Sequence, residues 1–186
     1  MTTVDKTTSP RGGRATSETE NLAGLQAAAE SLLESVDRSG RAWAVPRAPG
    51  KWSPSQVVEH LARVLEESAN GVAGAPTKFP VLPAVLRPVL RSLVLKRTVR
   101  RGVFPRGGKA FQFSNPDTGP QTPAAGRARL EEAVRQFDHA CRVHSVTGGP
   151  VMTTTFGAVQ VADLVKFQEL HVRHHHEQIR SSPPVS

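Results

Sequence analysis

The sequence of 186 residues contains one cysteine, no tyrosine and only 5% aromatic residues. The single Cys141 excludes an internal disulfide framework, and its place on the apolar side of a predicted helix indicates a buried, inert thiol. The N-terminal residues lack the apolar core of a secretory signal, so we expect a cytoplasmic protein. No transmembrane span is expected, because a span needs roughly 20 apolar residues and the longest apolar stretch is shorter and carries charges.

The net charge of the chain is strongly positive, +8 at pH 7, and the scarcity of aromatic residues affects which partners this charge suggests. Much of the excess lies in one basic stretch, residues 87–109, which carries Arg87, Arg91, Lys96, Arg97, Arg100, Arg101, Arg106 and Lys109. Proteins that bind single-stranded nucleic acids interleave such charges with aromatic side chains on which bases stack. Nucleic acid is therefore not an expected partner, and a solvated basic face is favoured over a binder of anionic surfaces.

The composition divides the chain into one domain and two short tails. Residues 1–16 are rich in Thr, Ser, Gly, Pro and Arg, which predicts a disordered tail, and residues 182–186 form a C-terminal tail. Between them, residues 17–181 are predicted to fold as one helical domain. Ser17 and Glu20 have the spacing of a capping box, so the first helix is expected to begin there.

Apolar residues at helical spacing predict five helical segments and no convincing pair of strands. The segments cover about 17–39, 53–70, 80–101, 122–147 and 157–180, and the third is expected to be kinked at its prolines. The second has the best-defined start, in which Ser53 is the N-cap, Pro54 suits the first helical position and Gln56 completes a capping box. Residues 102–122 form a long Gly/Pro-rich connection of a kind that is often functional or mobile. The prediction is an all-α bundle with one short extra helix.

The last predicted helix contains a cluster of histidines whose spacing distinguishes them. His171 and His175 are four residues apart, so they share one helix face and point inward with the apolar stripe. His60 of the second helix is the candidate for a third ligand, because it lies between Val57 and Val64 at the edge of the apolar stripe of that helix. Three imidazoles that leave one position open are typical of a catalytic metal site, and imidazole suits Zn, Ni, Fe or Cu.

The other histidines are not expected to bind the metal. His174 and His176 turn toward other sides of the last helix, and His139 and His144 have no partner at ligand spacing. A structural interpretation of the whole cluster is the alternative, because a histidine on an apolar face is more often a satisfied core residue and a histidine run can be a solvated helix end. Spacing alone leaves both interpretations open.

Two motifs resemble those of a known family. Residues 52–61, WSPSQVVEHL, are similar to the W-S-x-x-Q-x-x-x-H-L segment of the DinB-like superfamily, and residues 171–178 are similar to its closing H-x-x-H-H-x-x-Q segment. Phe156 and Gly157 further resemble an H-P-x-F-G loop of one branch, with Thr154 and Thr155 in place of His-Pro. The resemblance implies a DinB-like four-helix bundle whose metal ion is held by the ligand set His60, His171 and His175.

The resemblance also implies the functions to be weighed. Relatives include transferases or isomerases that use a low-molecular-weight thiol, and metal-dependent hydrolases, so the leading hypothesis is a metal-dependent enzyme that acts on a small molecule. Glu59, Glu67 and Gln178 are candidates to orient the histidines. A non-catalytic metal-binding or sensing bundle is the first alternative, and a binder of anionic surfaces through residues 87–109 is the second. A homodimer is left open.

Overall fold

The structure is a computed structural model that describes residues 11–105 and 107–180. Its helices are α1 (Arg11–Asp37), α2 (Pro54–Val72), α3 (Arg87–Leu90), α4 (Arg97–Arg101), α5 (Pro123–Thr147) and α6 (Val161–Arg180). Turns of 3-10 helix cover Gly40–Ala42 and Gln112–Ser114, a π-helical segment (Arg91–Lys96) joins α3 to α4, and a small sheet contains β1 (Val151–Thr153) and β2 (Gly157–Val159). The predicted all-α fold is confirmed, with the small sheet as an addition.

The four long helices, α1, α2, α5 and α6, pack around one core. α1 packs mainly against α6 and α2 mainly against α5, while further contacts join α1 to α5 and α2 to α6. The predicted apolar stripes supply the buried side chains, which include Leu22, Leu25, Ala29, Leu32, Leu33 and Val36 of α1 and Leu130, Val134, Phe137 and Cys141 of α5. None of the helices in the described part of the chain combines the length and apolar character that a membrane span requires.

The start of α2 has the geometry that the sequence predicts. Ser53 Oγ accepts a hydrogen bond from the backbone N–H of Gln56 at 3.3 Å, and Gln56 Oε1 accepts one from the backbone N–H of Ser53 at 3.0 Å. Pro54 occupies the first turn. Backbone N–H groups there have no partner within the helix, so proline's lack of an N–H costs no hydrogen bond. The Gln56 amide also donates to the carbonyl groups of Pro116 and Asp117, so one side chain both caps α2 and fastens the long connection to it.

The first helix begins earlier than the sequence predicts. α1 starts at Arg11, whereas the spacing of Ser17 and Glu20 predicts a start at Ser17 after a disordered segment. The predicted start is wrong because a Ser and a Glu three residues apart also fit the interior of a helix, and the surrounding Arg, Ala and Glu residues favour helix. Residues 1–10 and 181–186, which hold the rest of both predicted tails, lie outside the described residues.

The third predicted helix is shorter than its apolar pattern suggests. Helix begins at Arg87 rather than at residue 80, so Pro83 precedes it and Pro88 lies in its first turn, where proline is tolerated. The kink expected from prolines inside this helix is therefore a wrong prediction. The irregularity is instead the π-helical segment Arg91–Lys96, a feature that is frequent near functional sites.

The β-hairpin is the element that the sequence does not reveal. β1 and β2 pair antiparallel, with Val151 opposite Val159. Strands of three residues are too short to show the two-residue alternation that predicts a strand. The hydroxyls of Thr154 and Thr155, in the turn, donate to backbone carbonyl groups of residues 79–80. These bonds hold the hairpin against the segment that follows α2.

Candidate metal centre

Three histidine side chains meet between α2 and α6. Nε2 of His60 lies 3.3 Å from Nε2 of His171, which in turn lies 3.1 Å from Nε2 of His175. One ligand atom from each of the three lies within 4.8 Å of the others, and all three residues are buried. The structure thus brings together the three residues that the sequence singles out, and they could hold a metal ion.

The spacing of these nitrogens fits a tetrahedral ion. Zinc–imidazole bonds are about 2.0–2.1 Å long, so tetrahedral angles place two nitrogens on one ion about 3.3 Å apart. The two Nε2 separations that involve His171, 3.3 and 3.1 Å, are close to that value. These two separations are therefore compatible with a four-coordinate transition metal.

Hydrogen bonds behind two of the rings fix which nitrogen faces the centre. Nδ1 of His60 donates to the Ser114 carbonyl at 2.6 Å, and Nδ1 of His175 donates to Oε1 of Gln178 at 3.0 Å. A neutral imidazole carries one proton, so both rings direct an unprotonated Nε2 at the centre. His171 can place at most one N–H between these two lone pairs. The cluster consequently has a surplus of acceptors, which a cation would satisfy.

Burial keeps the three rings neutral. Loss of solvation lowers the pKa of His171 and the pKa of His175 well below the ordinary value, and the neighbouring histidines lower both further. The pKa of His60 is lowered mainly by burial as well, while its hydrogen bond to Ser114 acts in the opposite direction. Neutral imidazole is the form that binds a metal ion, so the ligands are in their binding form at neutral pH.

Aromatic side chains hold the imidazole rings from two sides. The ring centroid of Trp52 lies 4.6 Å from that of His60 and 6.0 Å from that of His175. Phe104 stacks on His171 with centroids 4.5 Å apart and planes inclined by 20°. Trp52 directly precedes the cap of α2 and Phe104 belongs to the long connection, so irregular segments complete a site that the helices begin.

The candidates to orient the histidines differ in their positions. Gln178 contacts His175 directly through the hydrogen bond to Nδ1. Glu59 forms ion pairs with Arg63 at 2.7 Å and with Arg129 at 3.2 Å, and the second of these links α2 to α5. Glu67 lies on the cavity wall and is bonded to the loop that follows α2. Of the three, Gln178 is the one whose contacts suit the proposed role.

The remaining histidines lie apart from the cluster. His174 lines the cavity, where its Nε2 accepts a hydrogen bond from Nε2 of Gln178 at 2.8 Å, and His176 is hydrogen-bonded to a serine of α1. His139 is exposed on α5, and His144 lies near the end of that helix. Within residues 11–105 and 107–180, none of these four belongs to the group that could share an ion.

A cavity of about 910 Å³ adjoins the cluster. Along α2 its wall runs from His60 through Val64 to Ser68, and along α6 it runs from His175 and His171 to Gln168. The cavity is also lined by Glu67 of α2, Phe167 of α6, Thr77 and Phe156. The volume falls in the range of about 300–1,000 Å³ that is usual for small-molecule sites, so the cavity has room for a ligand next to the histidines.

Three residues of this site escape prediction from the sequence. Ser114 acts through its backbone carbonyl, which no side-chain pattern reveals. Phe104 lies in the long connection, where no periodicity assigns it a face. Gln168 precedes His171 by three residues and shares its helix face, so helical spacing could have found it; its partner Ser68 lies on another helix and depends on the fold.

A comparison with protein families gives a match over most of the chain. The matching family model is described as the DinB superfamily, and it covers residues 21–179. This range includes His60, His171 and His175. No curated protein and no solved structure matches the chain.

Proposed function

Because the chain belongs to the DinB superfamily, we propose that it binds one divalent transition-metal ion through His60, His171 and His175 and uses the ion to act on a small molecule in the adjoining cavity. The family predicted from the motifs at residues 52–61 and 171–178 is confirmed by the match. The proposal depends above all on the convergence of three buried imidazoles, two of which direct an unprotonated Nε2 at one point. Zinc, nickel and iron all suit such a donor set.

The ligand number supports an enzyme over a structural metal centre. Structural zinc sites use four protein ligands, whereas catalytic sites use three and keep one position for substrate or water. In the described part of the chain, the group that could share the ion has three members. A bound ion would supply Lewis acidity. The protein itself contributes orientation, since Gln178 and the Ser114 carbonyl fix two rings, and it contributes shelter from water through Trp52 and Phe104.

Two reaction types follow from the family resemblance: transfer of a low-molecular-weight thiol to an electrophile, and hydrolysis. Both bring a nucleophile and a small electrophile together, and the cavity of about 910 Å³ has room for both partners. A thiolate is also a good ligand for the transition metals that imidazole binds. We therefore place the chemistry at the histidine end of the cavity.

Elemental analysis of protein purified without a His tag tests the metal proposal. We expect about one equivalent of transition metal in the wild type and its loss from His60→Ala, His171→Ala and His175→Ala after mild chelation, because two imidazoles must hold the ion with more water in its shell. His176→Ala, on the same helix but outside the cluster, is the matched control and should keep the metal. A wild-type protein that takes up no Zn, Ni or Fe would overturn the proposal.

A non-catalytic metal-binding or sensing protein is the alternative use of the same site. Cobalt-substituted protein distinguishes the two, because the visible spectrum of cobalt responds to a new ligand. An open position predicts that azide changes the spectrum of the wild type. A spectrum that azide leaves unchanged would indicate a closed site and favour the non-catalytic alternative.

One surface favours a second candidate function, which is binding to anionic membranes. Segment 85–101 exposes apolar side chains beside basic ones, namely Val85, Leu86, Val89 and Leu93 with Lys96, Arg97, Arg100 and Arg101. This combination is typical of helices that lie on anionic lipid. Part of the basic stretch serves the fold instead, since Arg87 and Arg91 donate to the backbone carbonyls of Leu82 and Ala158.

Co-sedimentation with lipid vesicles tests this second candidate. Binding to phosphatidylglycerol vesicles at low salt, with loss at high salt and no binding to phosphatidylcholine, is the expected pattern. Equal sedimentation with both lipids would contradict it. Because segment 85–101 carries none of the three histidines, the result is independent of the metal proposal.

A further inference from the structure

The end of the cavity remote from the histidines contains buried hydrogen-bonding atoms that the proposed metal centre does not use. Gln168 is 3% exposed, and its Oε1 has no hydrogen-bond partner among the described residues. The hydroxyl of Thr77 is likewise buried without a partner there. Both residues line the cavity. Buried polar atoms are normally paired, so unpaired atoms in a cavity wall point to a ligand that pairs with them.

Neighbouring hydrogen bonds fix the orientation of the Gln168 amide. Ser68 Oγ donates its proton to the Val64 carbonyl at 2.7 Å, so it can only accept from its other neighbour. That neighbour is Nε2 of Gln168, at 2.9 Å. The amide therefore keeps its N–H toward Ser68, and its carbonyl oxygen is the free group. An acceptor of this kind binds a hydrogen-bond donor.

The charge at this end of the cavity favours the same class of ligand. Glu67 is 7% exposed and lines the cavity near Ser68. One carboxylate oxygen accepts the backbone N–H of Lys78 at 2.7 Å, and the other lies 3.5 Å from Nζ of Lys78, whose side chain is 74% exposed. An ammonium so well solvated forms only a weak pair. The negative charge of Glu67 thus remains available to favour a cationic donor.

The distance from the histidines is that of a small molecule. Gln168 precedes His171 by three residues and His175 by seven on α6. At about 1.5 Å per residue, these intervals correspond to about 5 and 10 Å along the helix axis. One ligand could therefore reach the histidines at one end and Gln168 at the other, with the apolar side chain of Val64 between His60 and Ser68 on α2.

We propose that Gln168, together with Thr77 and Glu67, forms a second subsite that binds a nitrogen donor of the small-molecule substrate, either an ammonium or an amide N–H group. The proposal rests on the proposed function only for the other end of the ligand. Such a subsite would favour substrates whose amine or amide lies about 5–10 Å from the group that meets the histidines. A substrate that lacks such a nitrogen would leave the Gln168 carbonyl unpaired and would bind more weakly.

Three probes separate the two ends of the cavity. 6-Aminohexanoate carries a carboxylate for a metal ion and an ammonium for the subsite, hexanoate lacks the ammonium, and hexylamine lacks the carboxylate. In calorimetric titrations of zinc-loaded protein, 6-aminohexanoate should bind about tenfold more tightly than hexanoate, which corresponds to one hydrogen bond to a charged group. Gln168→Met should remove this preference. Gln136→Met, which changes an exposed glutamine of α5, is the matched control and should keep it.

A second variant and a chelated sample complete the test. Thr77→Val leaves the Gln168–Ser68 bond in place and should weaken the binding of 6-aminohexanoate but not of hexanoate. Any of three results would overturn the subsite proposal. The wild type could bind 6-aminohexanoate and hexanoate equally, both amines could fail to bind, or the preference for 6-aminohexanoate could survive both variants. Failure of the metal proposal looks different: chelation would leave 6-aminohexanoate binding unchanged and equal to that of hexylamine, while both still depended on Gln168.

Discussion

Gln178 provides a test of how the protein holds its histidines. Gln178→Leu removes Oε1, which accepts a hydrogen bond from Nδ1 of His175 at 3.0 Å. Without this acceptor the ring can rotate and its proton is no longer confined to Nδ1, so the Nε2 lone pair faces the centre for less of the time. Partners of this kind are worth about 10–100-fold in metal affinity, which is about 1.4–2.7 kcal/mol. We expect a loss of this size.

The same substitution removes a second hydrogen bond, which needs its own control. Nε2 of Gln178 donates to Nε2 of His174 at 2.8 Å. His174→Phe removes this bond while the acceptor of His175 stays in place, keeps an aromatic ring beside Phe104, and should leave the metal affinity close to that of the wild type. Gln178→Glu keeps an acceptor for His175 and should restore most of the affinity that Gln178→Leu loses.

Competition for zinc with a chromophoric chelator at neutral pH measures these affinities on one scale, and circular dichroism checks that each variant is folded. We expect the wild type, His174→Phe and Gln178→Glu all to bind zinc more tightly than Gln178→Leu. Equal affinity of Gln178→Leu and the wild type would refute it. A loss in His174→Phe as large as that in Gln178→Leu would assign the effect to the other hydrogen bond.

The remaining predictions concern the fold and its response to pH. A Cβ at Gly119 would lie 2.1 Å from the carbonyl oxygen of Ser55, so Gly119→Ala should lower the free energy of unfolding in urea by about 1–3 kcal/mol. Gly108→Ala, in the same connection but with nothing within 4 Å, should not destabilise, and equal midpoints for the two variants would contradict the clash. Because burial lowers the pKa of His171 and of His175, the unfolded chain binds protons below about pH 6.5 that the folded chain does not. Metal-free protein should therefore lose stability as the pH falls below this value, and a urea midpoint that is independent of pH there would be the contrary result. The four long helices share one core, so circular dichroism should show a single thermal transition rather than two.

Local geometry explains the parts of the structure that the sequence predicts. Ser53 and Gln56 cap α2 through atoms only three residues apart, and His171 and His175 share a face because four residues are slightly more than one helical turn. His60 could be selected because its apolar neighbours mark the inward side of α2. In each case helical geometry and the local apolar pattern determine the relevant direction, so no knowledge of the packing is needed.

Contacts between distant segments explain the parts that the sequence does not predict. The Ser114 carbonyl meets His60 across 54 residues, and Gln168 meets Ser68 across 100. Such pairs form only when the whole chain is folded. Glu59 shows that a distant contact can also contradict a local expectation. Its position next to His60 suggests a role at the metal, whereas its carboxylate forms an ion pair with Arg129 of α5. The start of α1 differs from the prediction for another reason, since the spacing of Ser17 and Glu20 fits the interior of a helix as well as its first turn.

X-ray absorption at the zinc K-edge of tag-free, zinc-loaded protein tests the central claim most directly. Binding through His60, His171 and His175 predicts three imidazole nitrogens at about 2.0–2.1 Å, with one further light ligand in the open position. The His171→Ala variant should show one imidazole fewer. A spectrum of the wild-type protein with a sulfur ligand, with four imidazoles or with no imidazole scattering would contradict the assignment of the metal to these three histidines.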